Sequence, residues 1–146
     1  MKSPLRNVGA AALGYVAVAI VSFVLPMIMW FVLGPDGAFR PDSWETSAAW
    51  NAGWIVVAVV GAAAGGFVCA KVAADRYGVW ILVAVLLVAG ALSLALYVPA
   101  EAGVRPADVG MIVGMGAARS PTWLGWLNLP LGAVGALWGA RIARQD

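Results

Sequence analysis

The chain alternates between long apolar stretches and short polar connections. Four of the stretches contain no Asp, Glu, Lys or Arg. A helix of about 20 predominantly apolar residues crosses the roughly 30 Å hydrocarbon core of a bilayer. Because hydrocarbon offers no hydrogen-bonding partners, the backbone polar groups of each stretch must be satisfied within that stretch. The pattern therefore predicts four transmembrane helices, at about residues 8–33, 46–70, 79–98 and 121–140.

The composition agrees with this pattern. Of the 146 residues, 63% are hydrophobic and 11% are charged, and the mean hydropathy is +0.91. Soluble domains are roughly 45–50% apolar and about one quarter charged, so a soluble domain is excluded. We expect a single integral membrane domain that covers residues 1–146 and is all-α.

A fifth apolar run, residues 109–118, is too short to cross a bilayer. It lies between the third and fourth predicted spans, and Pro106 and Asp108 suit the first turn of a short helix. Ser120 and Pro121 then have the residue types of a helix N-cap and a first helical position. The sequence therefore predicts a four-transmembrane-helix bundle with a short interfacial or re-entrant helix between helices 3 and 4.

Turn and capping residues separate the first two predicted spans. Residues 34–37, with two glycines and a proline, are expected to end helix 1. Asp42 or Ser43 can cap the next helix, and Asp42 with Glu45 has the spacing of a capping box. Helix 2 is therefore expected to begin near Trp44.

Lys and Arg are distributed unequally along the chain. Six of the nine lie at one end of the predicted bundle: Lys2, Arg6, Lys71, Arg76, Arg141 and Arg144. Basic residues are enriched on the cytoplasmic side of membrane proteins, so both termini are expected there. Frequent Ala, Gly and Arg with only two Lys suggest a bacterial source, and hence the bacterial cytoplasmic membrane. Because the charge serves orientation, no nucleic-acid partner is predicted.

Two predicted spans carry small residues four positions apart, which is the spacing of one helix face. These residues are Gly61 and Gly65 in helix 2, and Gly135 and Gly139 in helix 4. In lipid, helices associate through close backbone contact along such faces. We therefore expect helices 2 and 4 to pack together, within one chain or across a dimer.

The residue types give little support to catalysis. The chain has no histidine and one cysteine, and its predicted spans hold no carboxylates, so no metal site or cofactor is predicted. An enzyme would have to use outer-loop residues such as Glu101, Asp108 and Arg119. Ion-coupled transporters usually keep an ionisable residue within the membrane, and the predicted spans contain none.

Polar and aromatic residues concentrate toward the outer ends of the predicted spans. The candidate ligand-binding residues are Asn51, Trp54, Arg119, Trp123, Trp126 and Asn128. They suggest a pocket for a lipid or other apolar ligand, with Arg119 meeting an anionic group at its mouth. Two simpler explanations stand beside this one. In the first, the tryptophans form the aromatic belts of a membrane protein and bind no ligand. In the second, Asn128 forms a hydrogen bond with a neighbouring helix.

These features favour a non-enzymatic accessory or assembly subunit that binds lipid or an apolar ligand at its outer aromatic cluster. Its expected partners are membrane lipids, together with another membrane protein or further copies of itself. The alternative is a small oligomeric transporter or channel without an intramembrane coupling residue. A membrane enzyme that uses outer-loop acids and arginines comes third.

Overall fold

The computed structural model describes residues 4–99 and 103–145, and this part of the chain is mainly helical. It contains no strand, and two isolated β-bridges join the connections between helices. The helices are α1 (Pro4–Ala38), α2 (Ala48–Val72), α3 (Tyr77–Ala95), α4 (Met111–Ala117) and α5 (Thr122–Ala143). The predicted all-α class is confirmed.

Three helices, α1, α2 and α3, are long and apolar enough to cross a membrane, which indicates an integral membrane protein. The fourth long helix, α5, has 22 residues and is therefore about 33 Å long. Its Asn, Pro, Trp and Gly residues lower its hydropathy, and it is not among the three apolar helices. The crossing of the membrane by α5 stays a prediction.

The long helices expose most of their apolar surface. In the most apolar segment of α1, 11% of the residues are buried inside the protein, and in that of α3 22% are buried. Phe23 and Val88, for example, are 68% and 67% exposed. Large apolar side chains exposed along such helices are the pattern expected when the surrounding solvent is lipid.

Helices α2 and α5 share the most extensive contact in the bundle. A Cβ atom added to Gly66 would overlap the carbonyl group of Ala136, and one added to Gly139 would overlap that of Ala63. Gly135, one turn before Gly139, also faces α2. The absence of side chains at these glycines permits direct contact between the two backbones.

Gly61 and Gly65 face α1. A Cβ atom on Gly65 would lie 2.7 Å from the carbonyl oxygen of Gly14, and one on Gly61 would lie 3.3 Å from Ser22 Oγ. The spacing predicts contact with the last helix, whereas both glycines contact α1. The reason is that α2 carries two faces of small residues, and spacing alone does not show which neighbour each face meets. Helix α2 therefore lies between α1 and α5.

The connection between α1 and α2 differs from its prediction. The helical path of α1 is interrupted at Gly34, which has a φ of 63°, and one more helical turn follows. Helix α2 begins at Ala48, so its predicted start near Trp44 is wrong. Its N-cap is Ser47, whose side-chain oxygen accepts a hydrogen bond from the Trp50 N–H (3.1 Å).

The loop before α2 is folded by contacts that the local sequence does not reveal. Phe39 pairs with Thr46 in an antiparallel bridge, and Glu45 pairs with Arg119 in a parallel bridge. Asp42, predicted to cap α2, lies in the turn of this loop with a φ of 52°. The bridges hold the loop in a non-helical conformation, which delays the start of α2.

Helices α4 and α5 also begin later than predicted. Helix α4 starts at Met111, so Pro106 and Asp108 precede its first turn. Helix α5 starts at Thr122 and has the extended Pro121 in its N-cap position, without a side-chain cap. The start predicted with Pro121 as the first helical residue is therefore one residue early.

The bundle has two ends. The α4 end carries α4, and the terminal end is where α1 begins and α5 ends. At the terminal end, Asn7 is 1% exposed and joins α1 to the α2–α3 turn. Its Nδ2 donates to Asp75 Oδ1 (2.7 Å), and its Oδ1 accepts a hydrogen bond from the Ala74 N–H (3.0 Å).

Candidate functional site

At the α4 end, α1, α2 and the loop between them form a buried aromatic cluster. Trp30, Phe39 and Trp50 are 7%, 3% and 2% exposed. The ring centroid of Trp30 lies 6.1 Å from those of both Phe39 and Trp50, in the edge-to-face geometry that aromatic rings favour. Trp54, a predicted ligand-binding residue, is partly buried against this cluster. The structure thus places Trp54 in the core of the α4 end.

A charged side chain is buried beside this cluster. Arg105 is 6% exposed, and its guanidinium carbon lies 5.5 Å from the centre of the Phe39 ring. Its Nη2 donates to Asp36 Oδ1 (2.8 Å), which belongs to an exposed carboxylate. The Nε atom is buried and has no partner among the described residues. The sequence shows only an arginine in a turn-rich loop, without a local signal of burial.

A cavity of about 480 Å³, the mouth pocket, lies at the α4 end between the start of α2, the end of α3 and the start of α5. The polar and charged part of its lining comes from Arg40, Glu45, Thr46, Asn51, Tyr97, Arg119, Ser120 and Thr122. Two of the predicted ligand-binding residues, Asn51 and Arg119, are therefore in the same cavity although they are far apart in sequence.

Hydrogen bonds hold the wall of the mouth pocket in place. Thr46 is buried, and its Oγ1 donates to Asn51 Oδ1 (2.7 Å). The Thr46 N–H donates to the Arg119 carbonyl oxygen (3.2 Å), and the Arg119 N–H donates to the Trp44 carbonyl oxygen (2.9 Å). Because the Asn51 oxygen is engaged, its Nδ2 is the part of the amide that can donate to a ligand.

The lining of the mouth pocket carries one positive charge in excess, from two arginines and one glutamate. Arg40 and Glu45 form an ion pair (3.0 Å) with largely exposed side chains, which contributes at most about 1 kcal/mol. No described carboxylate forms an ion pair with Arg119. Its guanidinium is therefore available for paired hydrogen bonds to a phosphate or carboxylate.

A second cavity of about 320 Å³, the mid-bundle groove, lies among α1, α2, α3 and α5. Most of its lining is apolar or glycine, and its polar side chains are Ser22, Ser93 and Asn128. The Oδ1 atom of Asn128 is buried and accepts no hydrogen bond from any described residue. The interhelical hydrogen bond that would explain Asn128 without a ligand is therefore not made by this oxygen.

Leu94 of α3 lines both cavities. On α5, Thr122 lines the mouth pocket and Asn128 lines the groove. From residue 122 to residue 128 the helix rises by about 9 Å. Charged and polar groups therefore line the mouth pocket, and about 9 Å along α5 the lining of the mid-bundle groove is mainly apolar.

Trp123 and Trp126 line neither cavity, and they are 55% and 58% exposed. Exposed tryptophans near the end of a membrane helix are typical of an interfacial aromatic belt. The structure thus places Asn51 and Arg119 in one cavity, Asn128 in the adjoining one, and these two tryptophans outside both. That any of these residues binds a ligand stays a prediction.

Two further residues concern the enzyme alternative. Glu101 lies outside the described part of the chain, and Asp108 is exposed and lines neither cavity. Comparison with protein-family models, with curated proteins and with solved structures finds no match for this chain. The features that bear on function are therefore those of the molecule itself, the mouth pocket and the mid-bundle groove.

Proposed function

We propose that this protein is a non-enzymatic, four-span membrane protein that binds an anionic amphiphile. The polar head of the ligand occupies the mouth pocket, and its apolar chain occupies the mid-bundle groove. The observation that carries the proposal is the position of Leu94, which lines both cavities. A ligand that is polar at one end and apolar along its length fits this pair, whereas a wholly polar ligand would use the mouth pocket alone.

The head group is anionic in this proposal. The charged group available in the mouth pocket is the Arg119 guanidinium, and the Asn51 amide nitrogen lies in the same lining. Hydrogen bonds between an ionised donor and an ionised acceptor are roughly twice as strong as neutral ones. A phosphate or carboxylate therefore gains more from this lining than a neutral head group would.

The apolar part of the ligand carries a hydrogen-bond donor. A buried amide oxygen without a partner destabilises the protein by about 1–3 kcal/mol. A ligand hydroxyl or amide N–H in the groove would relieve this after rotation of the Asn128 side chain, because Oδ1 is buried within the protein. We therefore favour a lipid with such a group about 9 Å from its head over a simple diester, whose ester oxygens only accept.

In this proposal α5 is the fourth span. Its length of about 33 Å matches the hydrocarbon core, and its extensive contact with α2 supports a shared orientation across the bilayer. The excess of Lys and Arg at the terminal end supports cytoplasmic termini, in a bacterial cytoplasmic membrane. The role that fits is that of an accessory or assembly subunit, in which the bound lipid or the exposed helix faces contact a partner protein.

The test is native mass spectrometry of the protein extracted gently from its own membrane. We expect the wild-type protein to retain an amphiphile, and the double variant Arg119→Gln with Asn128→Leu to lose it. Lys71→Gln is the control, because it removes a positive charge at the terminal end and lies in neither cavity. Retention by the control and loss by the double variant would support the site.

Other outcomes of the same measurement separate the alternatives. A co-purifying protein would support the accessory role directly. A homo-oligomer without lipid would contradict the lipid site and favour the transporter or channel, to be followed by flux measurements. A bare monomer would contradict both the bound amphiphile and the assembly role.

A further inference from the structure

We propose that the terminal end holds a second site, which binds the phosphate group of an anionic phospholipid between Arg76, Arg141 and Arg144. The site is independent of the amphiphile proposed above, because it lies at the opposite end of the bundle. It occupies a different cavity, whose lining is positively charged.

Three arginines from two separate parts of the chain line this cavity. It has a volume of about 380 Å³ and lies between the start of α3 and the end of α5. Arg76 immediately precedes α3, Arg141 lies in the last turn of α5, and Arg144 directly follows α5. The preference for basic residues on the cytoplasmic side explains how many arginines this end carries, but not their convergence on one cavity.

The residues that line the cavity carry three positive charges. None of the residues that line the cavity is acidic. The carboxylate next to Arg76 in sequence is that of Asp75, whose Oδ1 accepts hydrogen bonds from Asn7 Nδ2 and the Tyr77 N–H. Like charges around one cavity repel each other, and a phosphate between them would replace this repulsion by charge-assisted hydrogen bonds.

The two helix ends at the cavity differ in what they favour. The C-terminal end of α5 carries partial negative charge, which by itself favours Arg141 and Arg144. Arg76 lies at the N-terminal end of α3, where Asp75 Oδ1 accepts a hydrogen bond from the Tyr77 N–H (3.0 Å). This end carries partial positive charge, so it disfavours a cation and favours an anion. The Asp75 carboxylate supplies an anion at this helix end, whereas no acidic residue lines the cavity around the three arginines.

The edge of the cavity indicates that the anion belongs to a lipid. Trp80 and Leu137 line the cavity and are 54% and 37% exposed. A tryptophan at the end of a membrane helix is typical of the headgroup region. A phosphate held by the arginines would leave its acyl chains beside these two apolar side chains. A soluble phosphate would make no use of them.

The test is native mass spectrometry of the purified protein in mixed micelles of phosphatidylcholine and phosphatidylglycerol. We expect preferential retention of phosphatidylglycerol, and a decrease of about fivefold for each of Arg76→Gln and Arg144→Gln. Lys71→Gln is the matched control, because it removes one charge near the same end of the bundle but lies outside the cavity. Retention by this control within about twofold of wild type would support a defined site.

Two results would overturn the proposal. Equal losses in Lys71→Gln and in the arginine variants would mean that general surface charge attracts the lipid. Displacement of phosphatidylglycerol by inorganic phosphate alone would assign the cavity to a soluble anion. Circular dichroism verifies that each variant folds, and Arg144→Gln lies beyond the last residue of α5, where folding does not depend on it. The test uses no variant of the mouth pocket, so either of the two proposed sites can be contradicted without affecting the other.

Discussion

The terminal end and the mid-bundle groove each contain a shielded asparagine, and the two side chains are used differently. Asn7 is 1% exposed, and its amide makes three hydrogen bonds with the α2–α3 turn. Asn128 Oδ1 is also buried, but it accepts no hydrogen bond from a described residue. The first arrangement stabilises the fold without further help. The second leaves a buried acceptor unsatisfied, which the proposed ligand would supply with a donor.

Two glycines repeat this contrast between structural contact and free space. A side chain at Gly66 would meet the backbone of α5, whereas a Cβ atom at Gly132, in the lining of the groove, would have no atom within 4 Å. Tight contact at one position and open space at the other predict opposite responses to the same substitution. Substitutions at the two asparagines and at the two glycines therefore test the contrast.

Gly66→Leu is expected to have the largest effect. The new side chain would overlap the Ala136 carbonyl group, so α2 and α5 would have to separate. We expect destabilisation by about 3 kcal/mol or more, measured by thermal unfolding in detergent micelles. Gly9→Leu is the matched control, because a Cβ atom there meets nothing within 4 Å. Equal destabilisation of the two variants would contradict the α2–α5 contact.

Asn7→Ala comes next. It removes the acceptor of the Ala74 N–H and a donor to Asp75, and leaves these groups in a partly buried position. We expect a loss of about 2 kcal/mol in the free energy of unfolding. The comparison variant is Asn51→Ala, which loses one hydrogen bond to Thr46 and should cost less. A loss no larger than that of Asn51→Ala would show that Asn7 does not secure the turn.

Gly132→Leu is expected to impair ligand binding and to leave the fold intact, the opposite of Gly66→Leu. The side chain would occupy the mid-bundle groove without a backbone clash, so we expect the free energy of unfolding to change by less than about 1 kcal/mol. Retention of the proposed amphiphile should fall by about tenfold, because the space for its chain is filled. Gly9→Leu again serves as the control in native mass spectrometry. Undiminished retention by Gly132→Leu would exclude the groove as the position of the chain.

Asn128→Leu should change stability and binding in opposite directions. Removal of an unpaired buried oxygen is expected to stabilise the lipid-free protein by about 1 kcal/mol. The same change removes the acceptor for the ligand donor and should reduce retention. Thermal unfolding of delipidated protein measures the first effect, and native mass spectrometry measures the second. A less stable lipid-free variant would mean that Asn128 has a partner within the protein.

Arg119→Gln is expected to have the smallest effect of the five. The side chain is partly exposed, so its contribution to anion binding is screened by solvent and salt. We expect retention of the amphiphile to fall by about threefold at low salt, and by less as salt is added. A loss that is independent of salt would contradict an electrostatic role for Arg119.

The helical part of the architecture could be predicted because its signals are local. Long uncharged runs predict membrane helices, and the described residues form four long helices, of which three are apolar enough to count as spans. Helix starts were less predictable. The capping pattern at Asp42 is a sound local signal, but pairing between the loop and Arg119 places the N-cap at Ser47.

The candidate site was predictable only in part. Asn51 and Arg119 are polar residues beside apolar spans, which is a visible signal, and they line one cavity. The burial of Arg105 and of Asn7 has no comparable signal, because each depends on groups that are distant in sequence. Trp54 and Trp126 have the same residue type, yet one is packed against the aromatic cluster and the other is exposed.

The sequence by itself determined that this protein is helical and largely apolar, because hydropathy and charge are properties of short segments. Only the tertiary structure decided which surfaces meet. It places Gly61 and Gly65 against α1, pairs the loop before α2 with Arg119, and leaves Asn128 Oδ1 unpaired beside a groove. Each of these outcomes depends on which distant residues reach the same point in space, and no local pattern records that.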